Sequence, residues 1–236
     1  MRKYFFLPLL ISLLSVSDLF SQNLTDFLSE DEKVVSDMIK NPLQASGRTA
    51  FIEGDREIEG SPFFKDEWMS SDLILGDNKR YQNINTRLSL FTGKVHVKMD
   101  SAGFTVNVPI KELWFYTGDT GSVKYIFRTG YFNDPELMNT CLQVISDGKI
   151  QFLKFRKAII EEYPVAFENA RLRFSFIETY YVYRKNELVK VKLNKDAFIA
   201  ALPEQKDKLA TLINDKKTKF KSESSVGELI DALNKD

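Results

Sequence analysis

Apolar residues at every second position are the feature that most limits what this chain can fold into. Val95, Val97 and Met99 are separated by polar residues, and after a turn the segment 104–110 continues the same alternation. Successive side chains of a β-strand point to opposite faces, so this period indicates strands with one apolar and one polar face. Two such runs joined by a tight turn predict an antiparallel hairpin.

Similar pairs of short apolar runs flank turn signals along most of the chain. The strongest signal is Asp147-Gly148, because Asp-Gly between apolar runs is typical of a hairpin loop. Further turns are predicted at residues 76–79, 118–121 and 184–187. This spacing indicates a mainly β (α+β) fold with an antiparallel sheet module, arranged as a sandwich, an open barrel or a rolled sheet. The pattern does not decide among these three arrangements.

Helical periodicity is confined to the two ends of the chain. Between residues 22 and 42, apolar residues recur every three or four positions, which predicts an N-terminal helix that ends at a proline. Near the other end, Asn194 is predicted to cap a short helix and Pro203 to begin the next one. A capping-box pattern that starts at Ser225 predicts a last helix.

The N-terminus has the layout of a secretory signal peptide. Arg2 and Lys3 precede an uncharged apolar run over residues 4–16, and Ser21 is a suitable residue before a cleavage site. The run is shorter than the about 20 residues that span a bilayer. We therefore predict a signal peptide and a soluble mature protein without a transmembrane span. Its expected location is the periplasm, the cell surface or the extracellular space.

These patterns divide the chain into four segments. We predict a signal peptide at residues 1–21, an N-terminal helix at 22–42, an antiparallel β module at 47–160, and a β-hairpin with C-terminal helices at 161–236. The helices of the last segment are short, so they need another element on which to bury their apolar faces. The last hairpin is the expected partner.

Composition excludes several classes of function. The chain has 33 Lys+Arg and 33 Asp+Glu, so it lacks the basic excess with which nucleic-acid binders neutralise phosphates. One Cys and one His exclude disulfide scaffolds, cysteine-ligated zinc sites and any site that needs two imidazoles. The single histidine, His96, is predicted to lie on the exposed polar face of its strand, and Cys141 is predicted to be a buried, inert thiol. We expect no cofactor and no metal.

Aromatic side chains provide the candidate binding residues. The chain has 19 Phe, 9 Tyr and 2 Trp, and exposed rings bind sugar rings or peptide side chains at a small cost in conformational entropy. The candidate ligand-binding residues are Trp68, Trp114, Tyr116, Tyr181 and Tyr183. Aromatic residues in β-rich proteins more often belong to the core. Trp68 stands out because it follows an acidic loop rather than a strand.

The motifs required for most enzyme chemistry do not occur in the sequence. It contains no nucleophile elbow, no glycine-rich phosphate loop and no dinucleotide fingerprint. Two carboxylates can suffice for glycoside hydrolysis, but the spacing selects no pair among the candidates Glu57, Glu59, Asp66, Glu67, Glu112, Glu161 and Glu162.

We therefore predict an exported, non-enzymatic binding or assembly protein of the cell envelope. Its expected partner is an envelope protein, a peptide or a glycan. One alternative is a carboxylate-dependent glycan hydrolase. Another is a structural subunit that docks through an exposed sheet edge.

One part of the sequence resembles a known pattern. Gly60-Ser61-Pro62-Phe63 is followed by Trp68 and then by the turn at residues 76–79 and Tyr81. This order is similar to that in a group of exported β-rich proteins of Gram-negative bacteria to which no activity is assigned. The Tyr-rich strand, the run at residues 188–193 and the helical tail are also similar. The resemblance implies export and a β-rich fold, and it implies no activity.

Overall fold

The computed structural model describes residues 28–30, 43–45, 48–53, 56–99, 102–117, 122–131, 137–166 and 170–235. The predicted signal peptide lies outside these residues. Strands account for most of the regular structure, and the helices lie near the C-terminus. This confirms the predicted mainly β fold.

Fourteen strands and three α-helices occur within the described residues. The strands are β1 (Leu28–Glu30), β2 (Leu43–Ala45), β3 (Arg48–Glu53), β4 (Arg56–Glu59), β5 (Met69–Leu75), β6 (Arg80–Leu88), β7 (Val95–Met99), β8 (Ala102–Val106), β9 (Ile110–Thr117), β10 (Ser122–Arg128), β11 (Leu142–Ser146), β12 (Ile150–Tyr163), β13 (Arg171–Arg184) and β14 (Glu187–Val191). The helices are α1 (Lys195–Ala201), α2 (Lys206–Lys216) and α3 (Glu223–Asn234), with a 3₁₀ turn at Pro203–Gln205 between the first two.

The strands form one continuous sheet. Their order is β1-β8-β7-β6-β5-β9-β10-β11-β12-β13-β4-β3-β2, and β14 pairs with β13. All neighbours are antiparallel except β13 and β4, which run parallel. The hairpins β5–β6, β7–β8, β9–β10, β11–β12 and β13–β14 confirm the strand pairs predicted from the alternation.

The sheet curls, so strands that are distant in this order share one core. Leu113 and Phe115 of β9 lie in the same apolar cluster as Ile58 of β4 and Phe174 of β13. The N–H of Ala158 in β12 donates to the carbonyl of Leu90, just after β6, at 2.9 Å. The sheet is therefore rolled, which is one of the three arrangements that the sequence left open.

The C-terminal helices cover one face of the sheet at β12 and β13. Phe152 and Val182, both 0 % exposed, lie in one cluster with Phe198, Leu229 and Ile230 of the helices. The ring centroids of Phe152 and Phe198 are 5.6 Å apart. The helices thus bury their apolar faces against this part of the sheet, as short helices must.

Asn234 at the end of α3 attaches that helix to the β11–β12 turn. Its Oδ1 accepts the N–H of Ile150 at 2.9 Å, and its Nδ2 donates to the carbonyl of the same residue at 2.8 Å. Gly148 in the turn has φ 147°, and a Cβ at this position would lie 2.6 Å from Asn234 Nδ2. The Asp147-Gly148 signal therefore marks a contact between layers as well as a turn.

The predicted N-terminal helix is wrong where its residues are described. Leu28–Glu30 is strand β1, which pairs antiparallel with β8, and the rest of residues 22–42 lies outside the described residues. The edge of β8 offers hydrogen bonds to the backbone of this segment, and such pairing overrides a helical period in the side chains.

Two boundaries also differ from the prediction. The division between residues 160 and 161 falls inside β12, which pairs with β13 from Ile150 to Tyr163, so the sheet continues through it. Helix α3 is capped by Ser222, whose hydroxyl accepts the N–H of Ser225 at 3.3 Å. The helix thus begins before the predicted capping box, because an earlier serine satisfies its first free N–H groups.

Candidate functional site

A groove of about 590 Å³ brings two of the predicted binding residues together. Trp68 and Tyr116 both line it, with Asp72, Arg80 and Asn83 among the polar residues between them. Residues of β5, β6 and β9 line the groove, together with the two residues before β5. Asp72 lies directly opposite Trp114 in the β5–β9 register.

A β-bulge shapes the floor of the groove. Ser71 of β5 pairs with Ile84, whereas Leu73 pairs with Tyr81, so β6 has one extra residue opposite Asp72. Asn83 in this bulge has φ 55°, a left-handed conformation that asparagine adopts more readily than most residues. Bulges redirect side chains. Here two successive residues of β6, at positions 82 and 83, both line the groove.

An ion pair between a buried carboxylate and an exposed guanidinium fixes the polar groups of the groove. The side chain of Asp72 is 3 % exposed, and its Oδ2 accepts hydrogen bonds from Arg80 Nε at 2.9 Å and Nη2 at 2.5 Å. Its Oδ1 accepts the backbone N–H of Asn83 at 3.1 Å. Burial alone would raise the pKa of Asp72, but hydrogen bonds from Arg80, from this N–H and from Tyr116 outweigh it and lower the pKa. Both carboxylate oxygens are therefore engaged, and the group is ionised near neutral pH.

The ring of Trp114 packs against the Arg80 side of this ion pair. The guanidinium carbon of Arg80 lies 4.8 Å from the centroid of the Trp114 ring, which is within the range of a cation–π contact. The indole Nε1 of Trp114 donates to Glu112 Oε2 at 2.6 Å, and Glu112 in turn pairs with Arg128 at 2.8 Å. Trp114 therefore holds Arg80 in position and does not itself line the groove.

Residues of β6 and β8 hold Trp68 in place. The guanidinium of Arg87 in β6 lies 4.1 Å from the Trp68 ring centroid and 4.2 Å from that of Phe63. On β8, a Cβ added at Gly103 would come within 3.2 Å of Trp68 Cη2, so the ring packs closely against the backbone at this contact. Trp68 is half-buried and lines the groove. Its ring is thus positioned before any ligand arrives.

The other two predicted binding residues do not line the groove. Tyr181 is 9 % exposed and lies in a cluster with Leu142 and Leu153. Its prediction as a ligand-binding residue is corrected, because Tyr131 and Leu137, which follow β10, belong to the same cluster and the ring is a core side chain. The ring of Tyr183 packs edge-on against Tyr131 at 5.0 Å.

The structure also shows whether the single histidine and the single cysteine are buried. His96 is 3 % exposed and contacts the hydroxyl of Thr105 at 3.3 Å. The predicted exposure is wrong because Phe63, whose ring centroid lies 5.8 Å from that of His96, covers this strand face. Cys141 is a buried free thiol, and burial raises its pKa to about 12. This confirms the predicted buried thiol, which is inert because it is not ionised near neutral pH.

Several of the acidic candidates for hydrolysis are held in ion pairs. Glu59 pairs with Arg171 at 3.3 Å, and Glu161 pairs with Arg173 at 3.0 Å. Glu67 lines the groove.

In the described part of the chain, no group of three or more His, Cys, Asp or Glu side chains is placed to hold a metal ion. None of the helices in that part is both long and apolar enough to cross a bilayer.

Acid should weaken the fold through Asp72. Its pKa is lowered in the folded protein, so its stabilising contribution is present above its unfolded value of 3.8 and is lost as the pH falls through the lower folded value. We expect Asp72→Asn to remove part of the decrease in melting temperature between about pH 5 and pH 2. The matched control is Asp66→Asn, at an exposed position outside the groove. Identical pH profiles for the wild type and Asp72→Asn would contradict this role.

Comparison with known proteins does not indicate what the groove binds. No protein-family model matches the chain, and neither curated proteins nor solved structures gave a match.

Proposed function

We propose that this protein is an exported, non-enzymatic binding protein of the cell envelope and that its groove binds a neutral glycan. The observation that carries the proposal is the placement of Trp68 and Tyr116 in one groove with the fixed pair of Asp72 and Arg80 between them. The cationic N-terminus followed by an apolar run supports export.

The chemistry of the lining favours a sugar over an apolar ligand. A sugar ring has an apolar C–H face that can stack on an aromatic ring, and hydroxyls at its edge that both donate and accept hydrogen bonds. The groove offers the half-buried ring of Trp68 for stacking. The guanidinium of Arg80 and the amides of Gln82 and Asn83 supply planar polar groups. Rings that fix orientation, combined with a few placed polar groups, are typical of small-molecule sites.

The charge of the groove favours a neutral ligand. Arg80 already pairs with Asp72, and Glu67 adds a negative charge at the lining. An anionic ligand would therefore meet no uncompensated cation among these three residues. A neutral ligand avoids this cost because it brings no charge that must be desolvated.

The lowered pKa of Asp72 supports a role in binding rather than in hydrolysis. A general acid for glycoside cleavage needs a raised pKa, whereas hydrogen bonds lower the pKa of Asp72 against the effect of burial. Both of its oxygens also have donors already. The carboxylate is thus suited to holding Arg80 and the bulge in position.

The proposal is tested by calorimetric titration of the mature chain. The panel consists of neutral oligosaccharides, acidic oligosaccharides and peptides, with reducing-end release measured in parallel. We expect saturable binding of a neutral oligosaccharide with no turnover. Binding of peptides alone, or release of sugar products, would overturn the proposal in favour of a peptide-binding module or a hydrolase.

A second candidate function is assembly through strand addition at β13. On the edge of β13 opposite β12, β4 pairs at Leu172 and Arg173 and β14 begins to pair at Tyr180. Residues 175–179 between them have no strand partner on that edge within the described ranges. Phe176 and Ile177 are 39 % and 47 % exposed there. An open edge with exposed apolar side chains accepts an extended strand of a partner protein.

Assembly through this edge predicts that Ile177→Lys abolishes capture of an envelope protein that the wild-type chain retains. The same variant should leave glycan binding unchanged, because Ile177 does not line the groove. Equal capture by the two chains would exclude this edge as the docking site.

A further inference from the structure

A second cavity, of about 420 Å³, shares no lining residue with the groove. It is formed by the β11–β12 turn, the β13–β14 turn and the C-terminal helices. Its lining has four basic side chains, those of Lys149, Arg184, Lys185 and Lys208, and one acidic side chain, that of Glu204. The formal charge of the lining is therefore +3, whereas that of the whole chain is +0.

Helix ends hold two of these cations in place. Arg184 Nε donates to the carbonyl of Ala201 at 2.8 Å, and Lys208 Nζ donates to the carbonyl of Leu233 at 3.2 Å. These carbonyls belong to the last turns of α1 and α3, where cations are favoured by the helix dipole. The side chain of Arg184 is only 17 % exposed, and its Nη2 lies 3.7 Å from Oε2 of Glu187, whose side chain is 60 % exposed. A guanidinium has five N–H donors, of which Nε supplies one to the carbonyl of Ala201. Its position is thus fixed without exhausting its donors.

The remaining charges lie at the mouth of the cavity. Lys185 pairs with Glu204, and both side chains are more than half exposed. Lys149 is exposed, and within the described part of the chain it has no ion-pair partner. Hydrogen bonds to the last helical carbonyls therefore account for the positions of Arg184 and Lys208. They do not account for Lys149, a third cation at the same cavity.

The floor of the cavity is apolar. Ile150, Leu202 and Leu233 contribute to its lining and are 8 %, 1 % and 4 % exposed. A volume of this size is in the range of small-molecule sites, about 300–1,000 Å³, and is larger than a single inorganic ion requires. Cations around an apolar floor match a molecule with an anionic group at one end and a carbon skeleton at the other.

We propose that this cavity binds a small organic anion through a phosphate or carboxylate group. The anionic group contacts Lys149 and the guanidinium of Arg184, and the carbon skeleton lies against Leu202 and Leu233. Charge-assisted hydrogen bonds from a guanidinium are the strong contacts of such a site. This site differs from the groove in charge and ligand class, so either can exist without the other.

The test titrates the mature chain with glycerol 3-phosphate, citrate and inorganic phosphate, followed by calorimetry and by the side-chain amide signal of Asn234. We expect one of the two organic anions to bind, with affinity that falls as salt is added. Lys149→Gln combined with Lys185→Gln should weaken this binding at least about ten-fold, because the first change removes a cation that contacts the anionic group and the second leaves the carboxylate of Glu204 without its ion-pair partner at the same cavity.

The matched control is Lys94→Gln combined with Lys190→Gln, which changes the net charge equally at exposed positions outside the cavity. The control should bind within about two-fold of the wild type, because neither residue lines the cavity and exposed charges are screened by salt. Equal loss in both double variants would overturn the proposal, as would binding of inorganic phosphate as strongly as the organic anions, which would show an adventitious ion only. Failure of all three probes to bind would also overturn it.

Discussion

Replacing Phe152 by alanine is expected to lower the free energy of unfolding by about 3–5 kcal/mol. Its side chain is 0 % exposed and lies where the helix layer meets the sheet. The ring stacks on Tyr180 at 5.6 Å and contacts Phe198 edge-on at the same distance. Truncation therefore loses the burial of the ring and leaves a cavity between two layers that can collapse only in part. The change is measured from urea unfolding curves.

The matched control for this variant is Ile177→Ala. Ile177 is an apolar residue of β13, the strand that pairs with β12, but it is 47 % exposed. Its truncation should cost about 0.5 kcal/mol or less, as is usual for surface substitutions. If the two variants lose similar stability, the helices contribute little to the fold, and the described packing of α1 and α3 on β12 is contradicted.

Replacing Trp68 by alanine is expected to weaken glycan binding at least about 30-fold, because truncation of an aromatic hot spot costs about 2 kcal/mol or more. Arg87 lies over the ring, Gly103 lies close to its Cη2 and Cζ2 atoms, and Trp68 lines the groove. A ligand that stacks on it gains contact with a surface that is already ordered. Binding is measured by titration with the neutral oligosaccharide that the wild-type chain binds.

The matched control is Trp114→Phe. Phenylalanine keeps an aromatic ring beneath Arg80, and Trp114 does not line the groove. This variant should bind within about two-fold of the wild type, because the loss of its hydrogen bond to Glu112 lies outside the lining. An equal loss of affinity in both variants would mean that Trp68 acts through the stability of the sheet rather than through contact with the ligand.

The hairpins could be predicted because their information is local. Asp147-Gly148 and the turn at residues 184–187 lie between apolar runs, and the structure has the pairs β11–β12 and β13–β14 at these places. The rolling of the sheet could not be predicted, since it depends on contacts such as Ala158 to Leu90 that lie far apart in the sequence. Side-chain alternation fixes which face is apolar but not which strands will share a core.

The site was predictable only in part. Trp68 was singled out because it follows a loop, and it lines the groove with Tyr116. Asp72 and Arg80 were missed because single charged residues occur throughout the chain and only the folded sheet brings these two together. One signal was present, since Gln82 and Asn83 interrupt the alternation of β6, and the bulge lies there. Tyr181 was misassigned because a strand pattern does not show that both faces of β13 are covered.

The central claim, that the groove binds a glycan, is tested most directly by the fluorescence of single-tryptophan variants. The chain has 2 Trp, so Trp114→Phe leaves Trp68 as the only indole and Trp68→Phe leaves Trp114. On titration with a neutral oligosaccharide, we expect the emission of Trp68 to shift to shorter wavelength and saturate, because a sugar ring displaces water from its face. The emission of Trp114 should stay unchanged. A saturable shift from Trp114 alone, or no shift from Trp68 while calorimetry reports binding, would contradict the account.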